Sequence, residues 1–148
     1  MTKPQAVFYS ALGALSAAGS VLAQALGGWD AMLQVLVTLM LIDYALGVVL
    51  ALVWKRSNKS SDGSFESRAS VKGLFRKCGI LLCVLVAARL DPLFGSEGYI
   101  RGTVILFFLA NEGLSVVENL GVMGLPLPEA LKNAFLLLRE RSGEKTEN

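Results

Sequence analysis

The chain contains no histidine in 148 residues, and only 18% of them are charged. The first absence removes the imidazole ligands and general bases around which many metal and acid–base sites are built. With Cys78 and Cys83 as the only thiols, neither a four-thiolate metal cage nor a disulfide framework can be assembled. The two cysteines stand five apart, on different faces of a helix, and read as small, reduced, buried apolar groups. No glycine-rich phosphate loop and no nucleophile beside a base occurs, so neither catalysis nor a cofactor or metal is expected. The formal net charge of +2 comes without the broad basic face that nucleic acid requires. Against these deficits stands one excess: 53% of the residues are hydrophobic, and mean hydropathy is +0.55. A soluble domain of this length needs more polar surface than remains, so the chain reads as an all-α integral membrane protein.

Hydrophobic runs and their breaks predict about four membrane-spanning helices in a single domain, 1–148. The first covers 6–26, long enough to span and too long for an ordinary leader core. One of its stripes, Ser10, Gly13, Ala17, Ser20 and Gln24, is small or polar, which suits close helix packing or a wet lumen. Gly27-Gly28-Trp29-Asp30 breaks the helix, and the second span follows over 31–54 with a tryptophan near each end. The third, 78–94, has only Cys78 to Ala88 uncharged, roughly 16 Å of helix. The fourth covers 100–123. Between the second and third lies the basic segment 55–77, which retention of positive charge places in the cytoplasm together with both termini. Pro128 and Glu129 suit the first turn of an amphipathic helix over 127–141 lying on the inner membrane surface. Residues 142–148 form a charged tail.

Polar groups inside these spans are the candidate functional residues. At about 100° per residue, Asn111, Glu112, Ser115, Glu118 and Asn119 share an arc about 120° wide on the fourth helix. Ionisable side chains at membrane depth mark a bundle interior, a water-filled path or function. Asp43, mid-way along the second span with Gly47 on nearly the same face, must be protonated, paired or wet. Arg89 of the third span is its candidate partner. Gly47, Gly113, Gly121 and Gly124 allow close approach of another helix and so assembly.

Asp43-Tyr44-Ala45-Leu46-Gly47, the stretch Ser70 to Lys77, and the succession Glu112-Gly113-Leu114-Ser115, Glu118-Asn119-Leu120-Gly121 and Gly124-Leu125-Pro126-Leu127-Pro128 resemble the phage holin family, which includes clostridial-type toxin-secretion and phage-lysis holins. The similarity runs from about residue 31 to 138. It implies a small phage-derived protein that associates with itself among the lipids of the bacterial cytoplasmic (inner) membrane. There it would open a lesion through which a cell-wall hydrolase, or a toxin in some relatives, passes without specific binding, and the host lyses. On that reading the polar arc, with Asp43 and Arg89, faces a lumen or a subunit interface. Two other readings stay open. One is a small ion or proton channel or transporter relaying through Asp43, Glu112 and Glu118. The other is a non-conducting scaffold that docks a partner through its basic loop and C-terminal helix.

Overall fold

A computed structural model describes residues 2–54 and 67–142, and these form helices with no strand among them. The elements are α1 (Lys3–Ala25), α2 (Ala31–Val49) continued by a π-helical turn (Leu50–Trp54), α3 (Ser67–Phe94), α4 (Tyr99–Val122) and α5 (Glu129–Arg141). Among the described residues, α1, α2 through Val53, and α4 are the helices long and apolar enough to cross a membrane. The expected third span, 78–94, does not reach that standard. The helix is there, but Lys77, Arg89 and Asp91 fall within the stretch that would have to cross.

α4 is the centre of the molecule, packed against α2, α3 and α5. The reason is legible in three rows of residues at helical spacing. Leu33, Leu36 and Met40 of α2 meet Ile80 and Val84 of α3 and Ile105 and Leu109 of α4 in one core. Spacings of three and four keep each row on one side of its helix. Each row also ends in polar residues. That of α2 continues to Asp43, that of α3 runs from Lys77 to Asp91, and that of α4 runs from Arg101 to Glu112 and Asn119, all of them buried. The bundle is therefore an apolar layer between two polar layers.

The remaining helices are peripheral. No residue of α1 is buried, although Leu26 just beyond it joins the core. α5 folds back on α4, with Phe135 and Leu138 against the core. A Cβ on Gly113 would run into the Phe135 ring, 2.7 Å from its Cζ, so only glycine lets α5 come this close.

The basic segment needs correction. Residues 55–66 lie outside the described residues, but Ser67 to Lys77, expected as loop, is the first part of α3. The cysteines also differ from expectation: Cys78 and Cys83 are both exposed on the outside of α3. At the C-terminus Ser142 closes α5, and the rest of the expected tail, 143–148, is outside the described residues.

Candidate functional site

One polar layer gathers four side chains from three helices. Lys77 Nζ donates to Asp43 Oδ2 at 2.9 Å and to Glu112 Oε2, while Asn119 Nδ2 donates to Asp43 Oδ1 at 2.9 Å. Only 10% of the Lys77 side chain and 4% of each acid's are exposed. An isolated buried charge is costly enough to prevent such a fold; a cation held between two carboxylates, with an amide filling a further lone pair, relieves that cost. No buried side-chain nitrogen or oxygen among the described residues lacks a hydrogen-bond partner. The cluster is therefore a completed network, and it clamps α2, α3 and α4 to one another.

The second polar layer is built on Arg101. Its Nε donates to the Leu26 carbonyl at 2.5 Å, Nη2 to the Gly28 carbonyl at 3.0 Å, and Nη1 to Asp30 Oδ2 at 2.5 Å. Asp30 also caps α2, accepting from the Leu33 amide at 2.9 Å. The guanidinium hydrogen bond holds the Asp30 carboxyl below its usual range, against a partial desolvation that acts the other way. Gly27 has φ +89°, and a Cβ there would lie 2.7 Å from Arg101 Cδ and Nε. Asp91 completes the layer, accepting from the Ile100 and Arg101 amides at 2.9 and 3.0 Å and from Ser96 Oγ at 2.6 Å. A carboxylate from α3 thus satisfies the amides that open α4, where the following Gly98 has no side chain to do so.

The polar arc of α4 is divided by this packing. Glu112 and Asn119 turn into the bundle, Asn111 and Ser115 are half-buried, and Glu118 is exposed. Arg89, the expected partner of Asp43, is exposed and makes no ion pair among the described residues. Lys77 takes that place because it lies seven residues before Val84 and fourteen before Asp91, on the buried row of α3, whereas Arg89 projects from another side. Gly47 is half-buried beside the cluster's helix face, while Gly121 and Gly124 are exposed with open space around them. Ser10, Gly13, Ala17, Ser20 and Gln24 are all exposed on α1.

Lys77, Asp91, Arg101 and Asp30 escaped the sequence reading. Their signal was present: two acids destined for an apolar bundle need a cation, and Lys77 directly borders the apolar run of α3.

Comparison with known proteins gives a consistent result. The model of the bacteriophage holin family matches residues 20–140. An uncharacterized protein of Listeria monocytogenes is 33% identical over 129 residues, covering 87% of this chain and 86% of its own. An uncharacterized 14.9 kDa protein of Clostridium perfringens is 32% identical, covering 83% and 88%. A probable holin of Bacillus phage phi105 is 31% identical, covering 78% and 79%. No solved structure matches. With a family match over most of its length and apolar helices able to span, the chain belongs to the bacteriophage holin family of lesion-forming membrane proteins, and it is not an enzyme.

Proposed function

We propose that this holin assembles with itself in the bacterial cytoplasmic membrane and opens a lesion through which a phage cell-wall hydrolase, or a toxin, leaves the cell. The observation that carries the reading is the buried cluster of Asp43, Lys77, Glu112 and Asn119. A three-helix core needs no such group for packing, and apolar residues there would hold as well or better. A polar set that is closed off in the single chain supplies, when the helices separate, the wettable wall that a water-filled opening needs. Arg101 and Asp91 then keep the outer ends of the helices together while the inner ends part.

In this proposal α1, α2, α3 and α4 all cross, with the termini and the basic segment that precedes Lys77 on the inner side. α3 crosses although Lys77, Arg89 and Asp91 fall in the stretch between its two ends, because Lys77 is paired with two carboxylates and Asp91 is hydrogen-bonded inside the bundle. About 16 Å of helix rise separates Arg101 from Glu112, and about 20 Å separates Asp30 from Asp43. The cluster thus lies well inside a hydrocarbon layer of about 30 Å. α5 sits at the inner boundary, with Lys132 and Arg141 exposed toward headgroups.

The test replaces Glu112 and Glu118 by leucine and measures membrane insertion and release of a cytoplasmic protein from the same cells. Insertion should persist and release should be lost. Normal release from a well-inserted double variant would reduce the α4 acids to packing groups and make the Ser10, Gly13, Ser20 and Gln24 stripe the better candidate for the lumen.

A further inference from the structure

Between α3 and α4, on the side away from α5, runs an open groove of about 320 Å³ lined only by apolar side chains, among them Cys83, Val86, Leu90, Ile100 and Val104. Its rows can be followed inward along each helix in steps of seven residues, which return to nearly the same face. From Val104 the row of α4 passes through Asn111 to Glu118, and from Ile100 through Phe107 and Leu114 to Gly121. From Leu90 and Cys83 the row of α3 reaches Arg76, and from Val86 it passes Gly79 to Lys72. Glu118, Gly121, Arg76 and Lys72 are all exposed. None of the three charged groups makes an ion pair among the described residues.

The charges also share a depth. Asp91 and Arg101 meet at the outer end, 3.0 Å apart through the Arg101 amide, and fix a common level for the two helices. From that level Arg76 lies about 22 Å along α3, Lys72 about 28 Å, and Glu118 about 26 Å along α4. One face thus carries an acid on one helix and two bases on its neighbour, at one level, below an apolar groove.

We propose that this α3/α4 face is a self-complementary contact for a second copy of the same chain, related by a two-fold axis along the membrane normal. Such an axis keeps both copies in one membrane orientation, and it sets α3 of each against α4 of the other. Glu118 of each copy then meets Arg76 and Lys72 of its neighbour, both acid–base contacts forming at once. The two grooves close on each other, and the absence of a side chain at Gly121 lets the helices approach. The partner is chosen by charge: a lipid acyl chain would fill the groove but leave Glu118 unpaired, and a second α1 would bring no charge to the depth of Arg76. This inference rests on the self-association in the proposed function and specifies the face through which it occurs.

Cys83 lines the groove and Cys78 does not, so the chain carries its own reporter. The experiment uses the full chain in bacterial membranes with Cys78→Ser, a short bismaleimide, and alkaline-carbonate extraction to confirm insertion. A Cys83-linked dimer is expected. Glu118→Lys alone, or Arg76→Glu with Lys72→Glu, should reduce it roughly five- to tenfold, as expected for reversing two partly exposed ion pairs. Combining all three reversals should restore it. Equal dimer in every inserted variant, or no recovery in the combined one, overturns the proposal. An amine-reactive crosslinker separates the two levels: oligomers without any Cys83 dimer discard this face and keep self-association, whereas monomers alone discard both.

Discussion

Replacing Lys77 by methionine removes the ammonium while keeping most of the stem, and leaves Asp43 and Glu112 buried without their shared cation. At 2.9 Å from Asp43 and an effective dielectric of about 20, the attraction forgone from that carboxylate alone is about 6 kcal/mol. Desolvation of the lysine is recovered at the same time, and truncations that strand a buried charge typically cost about 3–5 kcal/mol, which is the expected loss here. Against a domain stability of about 5–15 kcal/mol this is a large fraction. A triple variant, Lys77→Met with Asp43→Asn and Glu112→Gln, contains no stranded charge and should recover to within about 1–2 kcal/mol of the parent. The assay is reversible unfolding in mixed micelles, followed by loss of helical circular dichroism as the denaturing detergent rises. A single variant within about 0.5 kcal/mol of the parent would show that the clamp carries no such energy. A triple variant as unstable as the single one would assign the loss to packing of the lysine stem instead.

Gly113→Ala should detach α5, because its Cβ would occupy the space of the Phe135 ring; proteolysis within α5 should increase several-fold, and Gly113→Ala with Phe135→Ala should reverse part of it. A Cβ at Gly121 meets nothing within 4 Å among the described residues, so in Gly121→Leu thermal stability should hold while crosslinked oligomers decline, and unchanged assembly would remove this glycine from the contact. Because Arg101 depresses the carboxyl of Asp30, the stability from their pairing is fully present above the ordinary value of 3.8 and is lost only as pH falls below it. Asp30→Asn should therefore destabilise equally at pH 5 and pH 8, and a loss confined to the higher pH would contradict the pairing. For topology, cysteine introduced at Ser96 should react from outside, and at Ser60 and Ser142 only from inside; outside labelling at position 60 would reverse the orientation.

The helices themselves were legible because apolar runs and Gly/Pro breaks report on them directly. Residues 31–54 and 100–123, expected as spans, correspond to α2 with its π-turn and to α4. What the sequence hid was depth within the bundle. By sequence Lys77 is one more loop cation, since a charge count along the chain treats every residue beyond an apolar run as solvated. Its burial depends on α3 starting at Ser67, ten residues before it, and on two acids contributed by other helices. Arg89 looked the better partner for Asp43 because it is embedded in apolar sequence, yet its direction from the helix axis excludes it. The arc on α4 is a helical projection and says nothing of its neighbours: α2, α3 and α5 cover only part of it, leaving Glu118 outside. Phe135 against Gly113 had no sequence signal beyond an amphipathic helix beside a small residue.

Release of a folded protein tests the central claim most directly. The chain would be expressed in a bacterium that holds a folded cytoplasmic enzyme with no export signal, and enzyme activity in the periplasm or medium would be followed together with potassium efflux. Enzyme and potassium are expected to leave together once the protein has accumulated. Potassium loss with the enzyme fully retained, from cells whose membranes contain the assembled protein, would contradict a lesion wide enough for a hydrolase and favour a small ion channel.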